Sequence, residues 1–468
     1  MDQREPRQGD RSGAGAPGLP DDTGALIRSR PYRMLLVLAA LIGVVVSSAS
    51  WGFLEIVHLL QIWVYEDLPG EFGFSSQPIW WELPWLALAG AITAVAISRF
   101  PGRGGHVPAD GLQTGGKPTS PIELPGVVIA ATATLGLGLV LGPEAPLLAL
   151  GSALGILAIK LVKKDAPDQV LGLMAAAGSF AAISTVFGSP VIGAVIIIEA
   201  AGIGGSMLTL VLLPGLVSAG IGSLVFIGLG SWSGLSTSAW ALAPFPLPPT
   251  PGPGRSDFFW TILVALAAAV VVFAIMELGL LLKHVVEQRI VPLTIAAGIA
   301  VGALAILFAE VTDQPASAVL FSGQEAFGSL FAASGTIALT TLALLLLLKG
   351  LAWSISLGNF RGGPTFPAIF LGVVGGLLAS HLPGYAETQA IAALVGAACV
   401  AVLRLPFSSV VIATLLTAKA GLAVAPIAIV AVVVAYLASL TLTAYVDARV
   451  GRSAGREEPT AAPVASTG

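Results

Sequence analysis

The chain has 468 residues, of which 56% are hydrophobic and only 10% are charged, and its formal net charge is −4. Soluble domains carry about 25% charged residues, so this composition excludes an ordinary soluble protein and predicts a multi-pass membrane protein. The net charge says little about partners beyond the lipid bilayer, and no nucleic-acid partner is expected. The single cysteine, Cys399, excludes an internal disulfide and a thiolate metal site, and neither a metal nor a cofactor is expected.

The predicted elements begin after a polar stretch, residues 1–32, which is expected to be a disordered cytoplasmic tail. Repeated apolar runs of about 18 residues or more then predict transmembrane helices. Met34–Ala49 opens the first span, Phe258–Leu282 is a long one, and Ile427–Thr443 is the last. Residues 451–468 are a second expected disordered tail in the cytoplasm.

The placement of arginines predicts an orientation. Arg28, Arg30 and Arg33 precede the first span, whereas residues 34–98 contain no Lys or Arg. The positive-inside rule therefore places the N-terminal tail in the cytoplasm, and the tail after Arg449 is expected on the same side. The expected location is the bacterial plasma membrane.

An internal repeat organises the chain. GPEAPLLALGSALG begins at Gly142 and GPTFPAIFLGVVGG begins at Gly363, and a second matching pair surrounds Pro190 and Pro406. A proline-rich segment, about 236–257, is too polar and broken to span a membrane, and it reads as a linker between two halves. Chance similarity is the alternative, because Gly and Pro are common in this chain.

The repeat predicts the fold class. The first half is expected to cover about 33–235 and the second half about 258–450. Related halves with interrupted hydrophobic segments in matching positions are typical of transporters, whose binding site lies where the interruptions meet. The sequence therefore predicts an all-α polytopic membrane protein of two repeats with broken helices.

The Gly-Pro-x-x-Pro motifs predict anion chemistry. Glycine permits the turn and proline suits the first helical position, so each motif starts a helix within the membrane. The residues between the prolines, Glu144 and Ala145 in one half and Thr365 and Phe366 in the other, offer free amides at the positive end of the helix dipole. The glycine-rich segment at 102–108 is a third candidate break. These residues are therefore the candidate anion-binding residues.

Glu144 is the only ionisable residue between Glu123 and Lys160. An ionised carboxylate at a helix N-terminus competes with a permeating anion, and a protonated or displaced one releases the site. Glu144 is therefore the candidate gate, since an intramembrane acid is a functional candidate by default. The alternative is a simple cap of its own helix.

At these residues the chain resembles the CLC family of chloride channels and proton-coupled chloride antiporters. The matching motifs, in chain order, are GGHVP (Gly104–Pro108), GPEAP (Gly142–Pro146), SPVIGAVIIIE (189–199), GGPTFP (Gly362–Pro367) and VAVLRLPFSSVV (400–411). The resemblance implies an inverted-repeat homodimer with tilted helices, in which each subunit has its own anion pathway. It also implies that Glu144 matches the gating glutamate of the family.

Some motif residues depart from the family pattern. Gly105 stands where the family has a pore serine, and His106 either faces a vestibule or lies in an exposed loop, the interpretation that we favour. Pro364 replaces a residue whose amide would face the ion, and the amide and hydroxyl of Thr365 compensate for it in part. Chloride is the expectation from the resemblance, with nitrate, bromide and fluoride left open.

Proton coupling and the pore tyrosine remain open. Ala200 aligns with the family's internal proton glutamate and Glu199 lies one position away, so Glu199 is a possible proton-pathway residue. Because Ala200 carries no proton, passive channel-like conduction is favoured over proton-coupled antiport. Of two tyrosines in the last span, Tyr445 is preferred to Tyr436 as an anion ligand, with an interfacial anchor as the alternative.

Other function classes fit less well. The histidines form no His-Glu-x-x-His pair, and no Gly-x-Ser-x-Gly elbow has an inward partner, so an enzyme is not expected. An organic-anion carrier is a distant alternative, because it needs Lys or Arg inside the spans and the sequence has few there.

Overall fold

The computed structural model describes residues 23–111, 118–202, 205–233, 242–250 and 252–454. Residues 1–22 and 455–468, the greater part of the two predicted tails, lie outside the described residues. The helices reach further than predicted at both ends, from Thr23 to Ala454. At the N-terminal end the second helix begins early because Ser29 caps it, accepting a hydrogen bond from the Tyr32 amide.

The first half consists of nine helices within the described residues. They are α1 (Thr23–Arg28), α2 (Arg30–Ile62), α3 (Leu68–Glu71), α4 (Glu82–Arg99), α5 (Leu124–Gly136), α6 (Glu144–Val162), α7 (Asp168–Val186), α8 (Pro190–Ala201) and α9 (Gly205–Ser233). A π-helical turn, Trp63–Asp67, joins α2 to α3 without a break. Short 3₁₀ turns at Pro101–Gly104 and Pro108–Asp110 follow α4.

The second half adds eight helices within the described residues. They are α10 (Arg255–Glu287), α11 (Ile290–Thr312), α12 (Phe327–Ala332), α13 (Leu339–Asn359), α14 (Thr365–Ala379), α15 (Glu387–Leu403), α16 (Pro406–Leu416) and α17 (Ala425–Ala454). The described part of the linker, residues 242–250 and 252–254, has no regular secondary structure. Phe245 of this linker is buried, and its amide donates to the Leu416 carbonyl over 2.7 Å.

Eight helical segments in the described residues are long and apolar enough to cross a membrane. Five more apolar helices are too short to cross alone, and they are α5, α8, α14, α15 and α16. Almost every residue of α14 and α15 is nevertheless buried. Short helices inside a shell of long ones are the expected form of a membrane protein whose helices begin and end at membrane depth.

The two halves repeat one packing arrangement. In the first half α7 packs on α2, α6, α8 and α9, and in the second half α15 packs on α10, α14, α16 and α17. Matching helices also have similar lengths: α2 and α10 have 33 residues each, and α8 and α16 have 12 and 11. The predicted all-helical fold of two repeats with broken helices is confirmed.

Glycine at the helix crossings explains the close packing. Gly151 of α6 and Gly178 of α7 face each other, and a Cβ atom added at either would overlap the backbone of the other helix. Small residues allow this approach where hydrophobicity alone cannot drive helices together in lipid. The α6–α7 pair therefore forms a rigid support for the motif that begins α6.

Candidate anion site

The two Gly-Pro-x-x-Pro motifs meet in the interior of the molecule. The Gly142 amide donates to the Gly363 carbonyl over 2.7 Å, and the Gly363 amide donates to the Gly142 carbonyl over 2.6 Å, as an isolated antiparallel bridge. The two glycines occupy matching positions in the repeat. Their reciprocal bonds are those that a two-fold axis between the halves produces, so the helices α6 and α14 begin on either side of this axis.

Glu144 crosses from one half to the other. Its side chain is 1% exposed, and Oε1 lies 2.5 Å from the amide nitrogen of Thr365, the first residue of α14. A Cβ atom at Gly363 would collide with the carboxylate, so this position requires glycine. The carboxylate therefore occupies the N-terminus of a helix that belongs to the opposite half.

Two buried polar atoms of the site lack a well-aligned hydrogen bond in the described part of the chain, although the Thr365 side chain interacts with the Glu144 carboxylate. They are Glu144 Oε2 and Thr365 Oγ1, and Thr365 is 1% exposed. Phe366, also 1% exposed, closes the site with its ring, whose centroid lies 5.4 Å from that of Phe187. Because buried polar atoms normally have partners, this site has unused capacity for a polar or charged occupant.

The segment before Glu144 is fixed by contacts from three directions. The Val140 amide lies 3.2 Å from Ser356 Oγ, the Gly138 carbonyl accepts from the Phe321 amide over 3.0 Å, and the Tyr65 hydroxyl lies 2.8 Å from the Leu137 carbonyl. Bonds to α13, to the loop before α12 and to the helical turn after α2 thus hold an irregular segment deep in the protein. Irregular backbone at this depth is tolerated only when its polar groups find such partners.

Two cavities approach the motifs from different sides. The first, of about 440 Å³, reaches Leu141 and Pro143 beside Glu144, and we call it the acidic cavity. Its charged or titratable lining residues are His58, Glu66 and Glu325, besides Tyr65. Burial raises the pKa of Glu325, and the neighbouring His58, 3.2 Å away, opposes that rise.

The second cavity, of about 330 Å³, reaches Asn359 and Arg361 just before the Gly363 motif, and we call it the basic cavity. Its charged or titratable lining residues are Arg103, His106, Asp110, Lys283, Glu287 and Arg361. Lys283 and Asp110 form an ion pair at 2.8 Å. The bridge between Gly142 and Gly363 lies between the residues that line the two cavities.

Gly105 and His106, both predicted as anion-binding residues, line the basic cavity. Gly105 has φ +103° and ψ −172°, a conformation that favours glycine, which explains the absence of the serine hydroxyl here. His106 lies in a loop but is half-buried and lines this cavity, so it is not in the exposed loop that the sequence favoured, and its Nε2 lies 2.6 Å from the Gly111 carbonyl. Burial lowers the pKa of His106, partly offset by that hydrogen bond.

The remaining residues that were predicted from the sequence differ in how close they lie to the buried site. Ala145 lies beside Glu144 in the first turn of α6 and is partly exposed. Tyr445 is 51% exposed on α17, which continues as one helix to Ala454, so the structure does not bring this residue to the buried site of Glu144 and Thr365. Tyr436 packs beside a small cluster that includes Ile427.

Glu199 accepts its hydrogen bonds from the start of α16 and not at the Glu144 site. Its Oε1 accepts from the Phe407 amide over 2.8 Å, and its Oε2 accepts from the amide and the hydroxyl of Ser408, each over 2.6 Å. These donors form the first turn of α16, so Glu199 caps a helix of the opposite half. No local sequence pattern indicates this contact, because it joins segments more than 200 residues apart.

Sequence reasoning also missed Arg361. This side chain is 6% exposed, Nε donates to the Arg103 carbonyl over 3.3 Å, and Nη1 donates to the Phe360 carbonyl over 3.0 Å. Its position directly before Gly362 was the available signal. Arg361 joins the loop after α4 to the segment that precedes α14.

A family model described as voltage-gated chloride channel matches residues 89–440. The chain belongs to this family, the CLC family. It is 27% identical over 393 residues to YfeO of Salmonella paratyphi A, covering 80% of this chain and 85% of that protein. It is 26% identical over 365 residues to YfeO of Escherichia fergusonii, covering 76% of this chain and 81% of that protein. Both relatives are provisionally assigned as ion-transport proteins.

Solved CLC structures share the fold. A slow cyanobacterial Cl⁻/H⁺ antiporter matches with a TM-score of 0.69 at 18% identity, covering 87% of this chain and 94% of that one. A CLC-type fluoride/proton antiporter matches with a TM-score of 0.66 at 18% identity, covering 88% and 96%. The chain is therefore a multi-pass membrane protein of the CLC fold, and its function class is CLC-type anion transport.

Proposed function

We propose that the protein moves chloride or a similar small inorganic anion between the acidic and basic cavities, with Glu144 as the gate. The observation that carries this proposal is the 2.5 Å contact between Glu144 Oε1 and the Thr365 amide at the start of α14. A carboxylate oxygen is a negatively charged hydrogen-bond acceptor. It therefore occupies the place that a permeating anion needs, and the two exclude each other.

The partner of Glu144 favours a gate over a simple cap. A capping carboxylate normally accepts only from the first turn of its own helix, whereas the Glu144 carboxylate also accepts from the Thr365 amide at the start of α14 in the other half. One helix terminus contributes about 0.3–2 kcal/mol to binding an anion, which is small against the cost of desolvating an ion. The Thr365 hydroxyl, which interacts with the Glu144 carboxylate in this conformation, supplies a further donor to the anion once the carboxylate leaves.

The shape of the site supports a small occupant. Glu144, Thr365 and Phe366 are each 1% exposed, and Pro364 supplies no amide. An organic anion needs more room and a cation for its carboxylate, so this alternative is disfavoured. The loss of the Gly105 and Pro364 donors favours weaker anion binding than a site that retains them.

Passive conduction is the first candidate for the mode of transport. Ala200 carries no titratable group, and both carboxylate oxygens of Glu199 are engaged by α16. Proton-coupled antiport is the second candidate, favoured by the titratable carboxylate of Glu144 inside the site. The two similar solved structures are both antiporters and lend passive conduction no support.

We propose further that the protein forms a homodimer in the bacterial plasma membrane with both termini in the cytoplasm. Membership of the CLC family supports the homodimer, and the bacterial relatives support the plasma membrane as the location. The arginines before the first span support the orientation.

Anion efflux from proteoliposomes tests the proposal. Purified protein is reconstituted with chloride, bromide, nitrate or fluoride inside, and anion release and internal pH are followed with and without a proton ionophore. With potassium and valinomycin present to balance the charge of the exported anion, we expect release of at least one small anion, and adding the proton ionophore leaves this release unchanged if conduction is passive. Stoichiometric uphill proton movement that disappears in Glu144→Gln would establish antiport instead, and the absence of release for every anion would refute the proposed function.

A further inference from the structure

Lys349 is a buried ionisable residue that the anion motifs do not explain. It lies near the middle of α13, a membrane-spanning helix, and its side chain is 0% exposed. Charged residues at this depth are expensive and mark functional sites by default. Its neighbour Leu348 is also buried, and the surroundings in α13 are apolar.

Within the described residues, the polar contacts of Lys349 are with carbonyl oxygens. Nζ lies 3.0 Å from the Ala318 carbonyl, 3.2 Å from that of Val319 and 2.7 Å from that of Leu320. It also lies 4.4 Å from the centre of the Phe370 ring. Two ion pairs occur in the described parts of the chain, His58–Glu325 and Lys283–Asp110, and neither includes Lys349.

Carbonyl dipoles and an aromatic face stabilise an ammonium group but do not cancel its charge. Each dipole is neutral overall, so at a distance the positive potential of Lys349 persists. In a medium of low dielectric constant that potential is weakly screened. A negative ion is therefore more stable in the protein interior near a protonated Lys349 than it would be among apolar side chains alone.

Lys349 lies between the segment that precedes α12 and the helix α14. The carbonyls that it binds belong to residues 316–323, which we call the wall loop, and Ala318, Leu320 and Phe321 of this loop line the acidic cavity. Phe370 belongs to α14, the helix whose first amide binds Glu144. Five residues separate Phe370 from Thr365, about 7.5 Å along the helix axis.

We propose that Lys349 is the fixed counter-charge of the anion pathway, which raises the affinity of the site at the start of α14 for any small anion without binding that anion directly. This inference rests on the proposed function. It also makes Lys349 a positioning residue for the wall loop. With a separation on the order of 10 Å and an effective dielectric constant of about 20, loss of the charge weakens anion affinity roughly tenfold.

The test measures anion affinity in the Glu144→Gln background, where the carboxylate no longer competes as a charge. Chloride, bromide and nitrate are titrated calorimetrically into purified protein, alone and with Lys349→Met, Lys349→Arg or Leu348→Ala added. Leu348→Ala disturbs packing at an adjacent buried position, 4% exposed, without changing charge. We expect Lys349→Met to weaken all anions by about the same factor, roughly tenfold, while Lys349→Arg and Leu348→Ala retain most of the affinity.

Two results overturn the inference while leaving the proposed function intact. One is unchanged affinity in Lys349→Met, and the other is an equal loss in Lys349→Met and Leu348→Ala, which would assign Lys349 to packing alone. If the Glu144→Gln protein binds no anion, the proposed function itself fails.

A second measurement uses the unaltered protein and so does not depend on whether a Lys349 variant folds. Nitrogen NMR of isotopically labelled lysine in the unaltered protein reports whether the buried Nζ is protonated. A protonated Nζ whose signal moves as chloride is titrated supports the inference. A neutral amine, or a signal indifferent to chloride, contradicts it.

Discussion

Glu144 and Glu199 lie in similar chemical settings. Both belong to the first half, and each accepts backbone amides from the first turn of a second-half helix, Glu144 from α14 and Glu199 from α16. Glu144 is 1% exposed and its Oε2 lacks a well-aligned hydrogen bond in the described residues, whereas both oxygens of Glu199 accept well-aligned hydrogen bonds and its side chain is partly exposed. A saturated carboxylate is a fixed cap, and an incompletely bound one in a closed site can be replaced by another anion.

Replacing Glu144 is expected to give the largest effect. In Glu144→Gln the side chain loses the charge that competes with the anion, and a charge-assisted hydrogen bond contributes about 1.5–3 kcal/mol. We expect anion flux at neutral pH to rise on the order of tenfold and to lose its pH dependence. Proteoliposome efflux measures this change, with Glu199→Gln as the matched control. If the flux and pH profile of Glu144→Gln were unaltered, Glu144 would behave as Glu199 does, and the proposed difference in role between the two carboxylates would be wrong.

Replacing Glu199 should change stability and leave transport unchanged. Glu199→Ala removes the acceptor for three donors at the start of α16, and loss of a helix cap costs about 1–2 kcal/mol. We expect a lower melting temperature in detergent and an unchanged flux per folded protein. Ser408→Ala, which removes one of the donors, should have a smaller effect. Loss of proton movement at unchanged stability would instead support the proton-pathway interpretation.

Replacing Thr365 tests whether its hydroxyl binds the anion. Thr365→Val keeps the shape and the amide but removes the buried hydroxyl, and one hydrogen bond contributes about 1 kcal/mol. In the Glu144→Gln background we expect anion affinity to fall about fivefold. Thr365→Ser, which retains a hydroxyl, should restore most of it, as calorimetry can show. Equal affinities in the Val and Ser variants would exclude the hydroxyl as an anion ligand.

His106 should have the smallest effect. Because burial lowers the pKa of His106 below its ordinary value, the ring is neutral at and above neutral pH and gains charge only on acidification. His106→Gln should therefore leave the flux unchanged from neutral to mildly alkaline pH and alter it, if at all, in acid. The ratio of mutant to parent flux across this range is the measurement. A ratio that changes on the alkaline side would contradict the lowered pKa.

Local sequence signals predicted the parts of the site that depend on local chemistry. Gly-Pro-x-x-Pro sets the starts of α6 and α14 through turn geometry and proline, so Glu144, Thr365 and Phe366 were found where predicted. The repeat then predicted that the two starts would meet, because matching interruptions of related halves share a site.

Contacts that depend on tertiary packing escaped prediction. Glu199 was aligned as a possible proton-pathway residue, but only the position of α16 reveals it as a cap. The preference for Tyr445 over Tyr436 as an anion ligand came from sequence position alone, whereas α17 continues as a helix and leaves Tyr445 half exposed. Lys349 and Arg361 belong to no motif, and their partners are backbone carbonyls that no sequence pattern marks.

The central claim is that the Glu144 carboxylate and a transported anion compete for the same helix terminus. Calorimetric titration of chloride into the parent protein and Glu144→Gln over a range of pH tests it directly. We predict that chloride affinity of the parent is weak at alkaline pH and rises on acidification towards that of Glu144→Gln, which stays constant. Equal affinities of the two proteins at every pH would contradict the claim.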